Sequence, residues 1–149
     1  MVVRAPATVA RCSVNIANDS PLGFSAKLAL QLSYKLMNFT EITVTELAAK
    51  LAANNDEQCQ FVDVREPQEL AIVALPGFIN LPLSEHADWS PEIYTRLDKD
   101  LATFVLCHHG MRSAQMCQWL SDRGFSQVSN ISGGIDAYSR HVDASLPKY

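Results

Sequence analysis

Residues 102–107 read ATFVLC, apolar at every position except Thr103. A strand of alternating polarity needs cover on one face, whereas a strand apolar on both faces needs cover on both. The arrangement that supplies it is a parallel sheet between two layers of helices. Parallel neighbours must be joined by crossovers, usually helical, so this one run predicts a chain in which strands and helices alternate.

The rest of the sequence has that alternation. TVTELAAKLAAN (43–54) opens with the capping-box pair Thr43 and Glu46 and spaces Leu47 and Leu51 four apart, a helix pattern. QFVDV (60–64) is a strand, EPQELAIVA (66–74) a helix with Pro67 in its first turn, and GFINLPL (77–83) a strand stopped near Pro82. SPEIYTRLD (90–98) reads as a helix capped by Ser90. After the 102–107 strand, RSAQMCQWLSDRG (112–124) is a helix closed by Gly124, QVSNI (127–131) a strand and GGIDAYSRHV (133–142) a last helix. The fold class is α/β with a mostly parallel sheet.

Residues 1–36 are different in kind. Arg4, Arg11, Lys27 and Lys35 stand against Asp19 alone, among scattered Ser, Thr and Ala. That composition fits either an N-terminal extension upstream of Met37 or an organelle-targeting segment. The domain is assigned to residues 37–149. A net charge of -4 with no basic stripe argues against nucleic acid as a partner. No apolar run is long enough to span a bilayer, and none of Cys12, Cys59, Cys107 and Cys117 forms a C-x-x-C pair, so a reducing, intracellular setting is expected.

Chemistry concentrates where the 102–107 strand runs into the next helix, at CHHGMRS (107–113). Open α/β sheets bind ligands at this end of their strands. Backbone N–H groups at the helix start, together with Arg112, favour negative charge, so a thiolate on Cys107 or a bound oxyanion is stabilised there. Gly110 permits the curl that turns successive N–H groups inward. Cys107 is the candidate nucleophile. Cys117, at helical spacing with Leu120, reads as core, with a resolving thiol as the alternative. Cys59 reads as structural. His86 and His141 read as surface or loop residues, Trp119 as core, and Trp89 is left between core and the site entrance. Adjacent Cys107, His108 and His109 do not converge on one ion, so no metal is expected. Gly133 and Gly134 read as a tight turn rather than an anion site.

The loop CHHGMRS resembles the C-x-x-G-x-R-S loop of the rhodanese family of single-domain sulfurtransferases. The resemblance runs from about Phe39 to Tyr149 and includes FVDVREPQE (61–69), PGFINLPL (76–83) and GGIDAY (133–138) in order. It implies a three-layer sandwich around a five-stranded sheet, and a persulfide carried on Cys107. It further implies substrate binding by His108, His109, Gly110, Met111, Arg112 and Ser113, with Asp63 and Arg65 supporting the loop, and no cofactor. Where relatives carry Gly-His-Ile, this chain has Val73, Ala74 and Leu75, and the pair after the cysteine is His-His rather than more basic.

The resemblance implies transfer of sulfane sulfur from a donor such as thiosulfate to cyanide or a thiol. The alternative is a protein-fed carrier or regulatory binding module served by a cysteine desulfurase or a thioredoxin-like protein. A cysteine phosphatase ranks lower, because four residues separate Cys107 from Arg112 where such phosphatases place five. The expected compartment is the cytoplasm, or a plastid if residues 1–36 act as a transit peptide.

Overall fold

The computed structural model describes residues 38–53 and 59–149; residues 1–36, including Cys12, lie outside them. Five strands, β1 (Thr40–Ile42), β2 (Cys59–Asp63), β3 (Phe78–Asn80), β4 (Ala102–Leu106) and β5 (Val128–Ile131), form one sheet in the order β1-β5-β4-β2-β3. Every pairing is parallel. β1 was not predicted from its own residues: it is three residues long, lies on the sheet edge and exposes Thr40 and Glu41, leaving no alternation to read.

The helices are α1 (Val44–Ala52), α2 (Pro67–Ile72), α3 (His86–Trp89), α4 (Ile93–Arg96), α5 (Met111–Ser121) and α6 (Gly134–His141). At α1 the predicted box forms: the Glu46 N–H donates to Thr43 Oγ1 at 3.2 Å, and the Thr43 N–H donates to Glu46 Oε2 at 2.7 Å. The single helix predicted over 90–98 does not form. Ser90 begins a 3-10 turn (Ser90–Glu92) and closes α3 as its C-cap instead of opening a helix as N-cap, and α4 is one turn beyond it. Pro91 lacks the N–H that a helix continuing from α3 through α4 would require. α2 is likewise shorter than predicted. Val73 is extended, at φ -155°, and its carbonyl accepts a hydrogen bond from Arg65 Nη2 at 3.0 Å.

Adjacent side chains on a strand point to opposite faces, and β4 shows the result. Phe104 and Leu106 pack with Val44, Leu47, Ile131 and Ile135 in one core. Val105 and Cys107 pack with Trp89, Met116, Cys117 and Leu120 in the other. Burying an aliphatic side chain of this size contributes about 1.5–3 kcal/mol, so the run that required cover on both faces is also a main source of stability.

Strand order fixes the position of the site. From β2 the chain passes through α2 to β3 on one side, while from β4 it passes through α5 to β5 on the other. The direction of winding therefore reverses between β2 and β4, and a crevice opens at their carboxyl ends. Asp63 ends β2 and Cys107 follows β4, so the two segments singled out in the sequence meet at this crevice.

Candidate active site

Cys107 is the first residue beyond β4 and is 1% exposed. The chain curls through His108 and His109 to Gly110, whose φ of 98° is left-handed and suits glycine, and α5 then begins at Met111. The curl turns the Gly110 N–H onto Cys107 Sγ at 3.0 Å, and Ser113 Oγ, in the first turn of α5, donates to the same sulfur at 3.2 Å. Two donors directed at one sulfur are the arrangement an anionic sulfur requires. The N–H groups of Met111 to Ser113 belong to the helix's first turn, which has no intrahelical acceptors.

The other end of the curl is held by α6. The N–H groups of Ile135 and Asp136 donate to the carbonyls of Cys107 and His108 at 2.9 and 3.1 Å. Such contact needs a residue without a side chain at Gly134, where a Cβ would lie 2.3 Å from both carbonyl oxygens. The sequence reading of a tight turn at Gly133 and Gly134 therefore has a specific purpose: the free amides of α6 grip the loop. Buried Asn130 of β5 completes the grip, its Nδ2 donating to the Gly110 carbonyl at 3.0 Å and to the Glu41 carboxylate.

Arg112 is bonded to a carboxylate and not to the sulfur. Its guanidinium makes a two-pronged pair with Glu69 of α2, at 2.7 and 2.8 Å. Glu69 also accepts from the Glu66 N–H at 3.0 Å and from the Tyr149 hydroxyl at 3.2 Å, so four donors fill its carboxylate. The Arg112 hydrogen bonds hold the Glu69 carboxyl at about 2, well below its ordinary value, and Glu69 raises Arg112 in return. Asp63 and Arg65 form a second pair, almost wholly buried, with Arg65 Nε and Nη2 on the carboxylate at 2.7 to 3.1 Å. Burial alone pulls Arg65 down, but hydrogen bonds to Asp63 and Tyr149 outweigh it and the net shift is upward. Arg65 Nη1 donates to the Tyr149 hydroxyl at 2.7 Å, which links the two pairs.

Of the predicted site residues, Cys107, Gly110 and Ser113 converge on the sulfur. Arg112, Asp63 and Arg65 form the frame around it. His108 is partly buried between His109 and the Tyr149 ring, with centroids at 4.1 and 4.4 Å, and burial first, then His109, lowers its basicity. His109 is exposed, and Met111 stands at the rim, 76% exposed. Trp89 is core, its indole N–H donating to the Pro82 carbonyl at 2.7 Å. Trp119 is only partly buried and carries Arg123 at 3.6 Å over its ring. His86 packs edge-on against both indoles, which also contact each other, rather than lying free on the surface. Cys117 lies fully buried in the core beside Cys107's face of the sheet, and burial pushes its thiol up.

Glu69, Asn130 and Tyr149 were not singled out by sequence reasoning. Glu69 lies within FVDVREPQE, but its partner is 43 residues away, and Tyr149 is 80 residues from Glu69. Asn130 left a signal, a carboxamide inside an otherwise buried strand.

A family model described as the rhodanese-like domain matches residues 43–141. The chain is similar to the rhodanese-like/PpiC domain-containing protein 12, chloroplastic, of Arabidopsis thaliana, with 48% identity over 93 residues. That match covers 62% of this chain and 31% of the plant protein. It is also similar to the putative sulfurtransferase YtwF of Bacillus subtilis, 34% identical over 102 residues, which cover 68% of this chain and 92% of the bacterial one. Among solved structures, the rhodanese-like domain protein from Staphylococcus aureus superposes with a TM-score of 0.58 at 28% identity, covering 74% of this chain and 99% of that one.

Proposed function

Since the chain belongs to the rhodanese-like domain family, alongside single-domain sulfurtransferases, we propose that it moves sulfane sulfur through a persulfide on Cys107. The observation that carries this reading is the pair of donors, the Gly110 N–H and Ser113 O–H, on Cys107 Sγ. In the first step the Cys107 thiolate attacks the outer sulfur of a donor such as thiosulfate. A bond forms from Sγ to that sulfur, the donor's S–S bond breaks, and its electron pair leaves on sulfite. The negative charge passes to the terminal sulfur of Cys107–S–S⁻, where the first-turn amides of α5 receive it. In the second step cyanide or a thiolate attacks the terminal sulfur, and the pair of the broken S–S bond returns to Sγ. The cycle uses no cofactor.

Donor choice follows from charge. Glu69 holds both Nη groups of Arg112 and pairs its charge, so attraction for a dianion falls mainly to the loop amides. That favours a second reading of the physiological role, in which a protein or low-molecular persulfide, for instance one made by a cysteine desulfurase, loads Cys107 faster than thiosulfate does. The same engagement weighs against a cysteine phosphatase, whose loop arginine must face the phosphate. Among the described residues no helix is long and apolar enough to cross a membrane. The cytoplasm is the proposed compartment, with the plastid as the alternative suggested by the plant relative.

The test is the intact mass of the protein after incubation with thiosulfate, and separately with a desulfurase and cysteine, beside Cys107→Ala. A gain of about 32 Da on the wild type alone marks the persulfide. A gain from the desulfurase but not thiosulfate selects the protein-fed reading, and no gain from either rejects both.

A further inference from the structure

We propose that Tyr149 is a positioning residue for the Cys107 loop: its hydroxyl ties the Asp63–Arg65 pair to the Glu69–Arg112 pair, and its ring seats His108 at the loop's mouth. The segment after α6 is held to the domain by contacts of its own. There the Asp143 carboxylate accepts the Ser145 N–H at 3.0 Å, and Leu146 packs onto the core that contains Leu47 and Ile131. These contacts bring the chain back across the carboxyl ends of the strands, where Tyr149 meets two charged groups of opposite sign. Its oxygen accepts from Arg65 Nη1 at 2.7 Å, and its proton goes to Glu69 Oε1 at 3.2 Å.

A tyrosine placed only to cover surface would need neither bond. Here both hydrogen-bonding roles of the hydroxyl are filled, one of them by a guanidinium that is 0% exposed. The linkage reaches the reacting sulfur in few steps: Tyr149 to Glu69, Glu69 to Arg112, and from Arg112 to its neighbour Ser113, whose hydroxyl donates to Sγ. Removing the hydroxyl leaves Arg65 Nη1 and Glu69 Oε1 each short of a partner and lets the Glu69–Arg112 pair drift. The first turn of α5, which aims the donors, drifts with it. The ring acts separately, because its centroid lies 4.4 Å from that of His108 at 34°.

The kinetic part of the test rests on the sulfur-transfer reading, whereas a second part does not. In full-length protein, Tyr149→Phe keeps the ring and removes the hydroxyl. Its maximal loading rate should fall about three- to tenfold while the half-saturating donor concentration stays put, the effect of one lost hydrogen bond acting on alignment. Tyr149→Ala should also raise the half-saturating concentration, because His108 is released. Independently, iodoacetamide should alkylate Cys107 faster in Tyr149→Phe, with Cys117 unchanged, since a loosened loop exposes only the first thiol. Unchanged Cys107 alkylation, or a parallel rise at Cys117, overturns the proposal. If the wild type gains no sulfur from any donor, the transfer reading falls, and the alkylation contrast alone decides the role of Tyr149.

Discussion

Arg112 and Glu69 meet fork to fork across the crevice between α5 and α2, Nη1 on Oε2 at 2.7 Å and Nη2 on Oε1 at 2.8 Å. The strand after which each helix begins lies next to the other's in the sheet, so the pair clamps the two sides of the site together. It also neutralises the loop's arginine. The hydrogen bonds on Cys107 Sγ therefore come from the Gly110 amide, whose direction the curl sets, and from the buried Ser113 hydroxyl.

The clamp should be visible in acid. Glu69 has a folded value of about 2 against an ordinary 4.5, lowered by Arg112. A depressed carboxylate stabilises the fold fully above its unfolded value and loses that contribution as pH falls through the folded one. Because both side chains keep some solvent contact, the contribution at neutral pH is held to about 1–2 kcal/mol. Glu69→Gln should be less stable than wild type by that amount at pH 7, and the gap in urea midpoints should close between about pH 4.5 and 2. A gap that stays constant with pH would reject the charge pair as its source.

Ser113→Ala removes one of the two donors on Cys107 Sγ while leaving α5 its length and its cap. A hydrogen bond to a charged group contributes about 1.5–3 kcal/mol, so persulfide loading should slow about ten- to a hundredfold. Rapid-quench mass spectrometry would show this, and near-wild-type loading in a folded variant would remove Ser113 from the sulfur site.

Gly134 and Gly77 allow strain and contact to be separated. Both have positive φ, 59° and 82°, but a Cβ at Gly77 meets nothing within 4 Å, whereas at Gly134 it meets the carbonyls of Cys107 and His108. Gly77→Ala should cost about 1–2 kcal/mol, the left-handed penalty alone. Gly134→Ala should cost more and also slow loading, because the grip of α6 on the loop is broken. Equal thermal shifts with equal loading would show that the contact is dispensable.

What the sequence made legible was whatever depends on neighbours in the chain. ATFVLC announced a strand covered on both faces, and CHHGMRS announced a curl ending in a helix, because both patterns are local. Glu69, Asn130 and Tyr149 joined the site through strand order and through the return of residues 143–149, and those relations follow from the assembled sheet. Ser90 misled for a related reason. Ser-Pro is a good helix start in isolation, but here the helical turn before it was already in place and Pro91 could only interrupt it.

His108 should give the fold a mild dependence on pH near neutrality. Burial and His109 lower its basicity, although Glu69 and Asp136 oppose them. The unfolded chain then takes up the proton first, so stability is highest above about pH 6.5, the ordinary histidine value, and declines as pH falls below it. His108→Gln should flatten that decline between pH 7 and 5, which thermal midpoints at stepped pH would measure. An unaltered slope would mean that His108 titrates normally.

Cys117 was open to two roles, and its surroundings favour one. It faces the same core as Cys107, sits among Met116, Leu120 and Val105, and its thiol is pushed up by burial, so it is held neutral where a resolving nucleophile must ionise. Cys117→Ala should therefore cost about 1–2 kcal/mol through the lost packing and leave sulfur loading on Cys107 unchanged. Under mild peroxide, wild type without added thiol should gain oxygen on Cys107 instead of losing the two protons of an internal disulfide. Tryptic mass mapping distinguishes these outcomes, and a Cys107–Cys117 disulfide would assign Cys117 the resolving role.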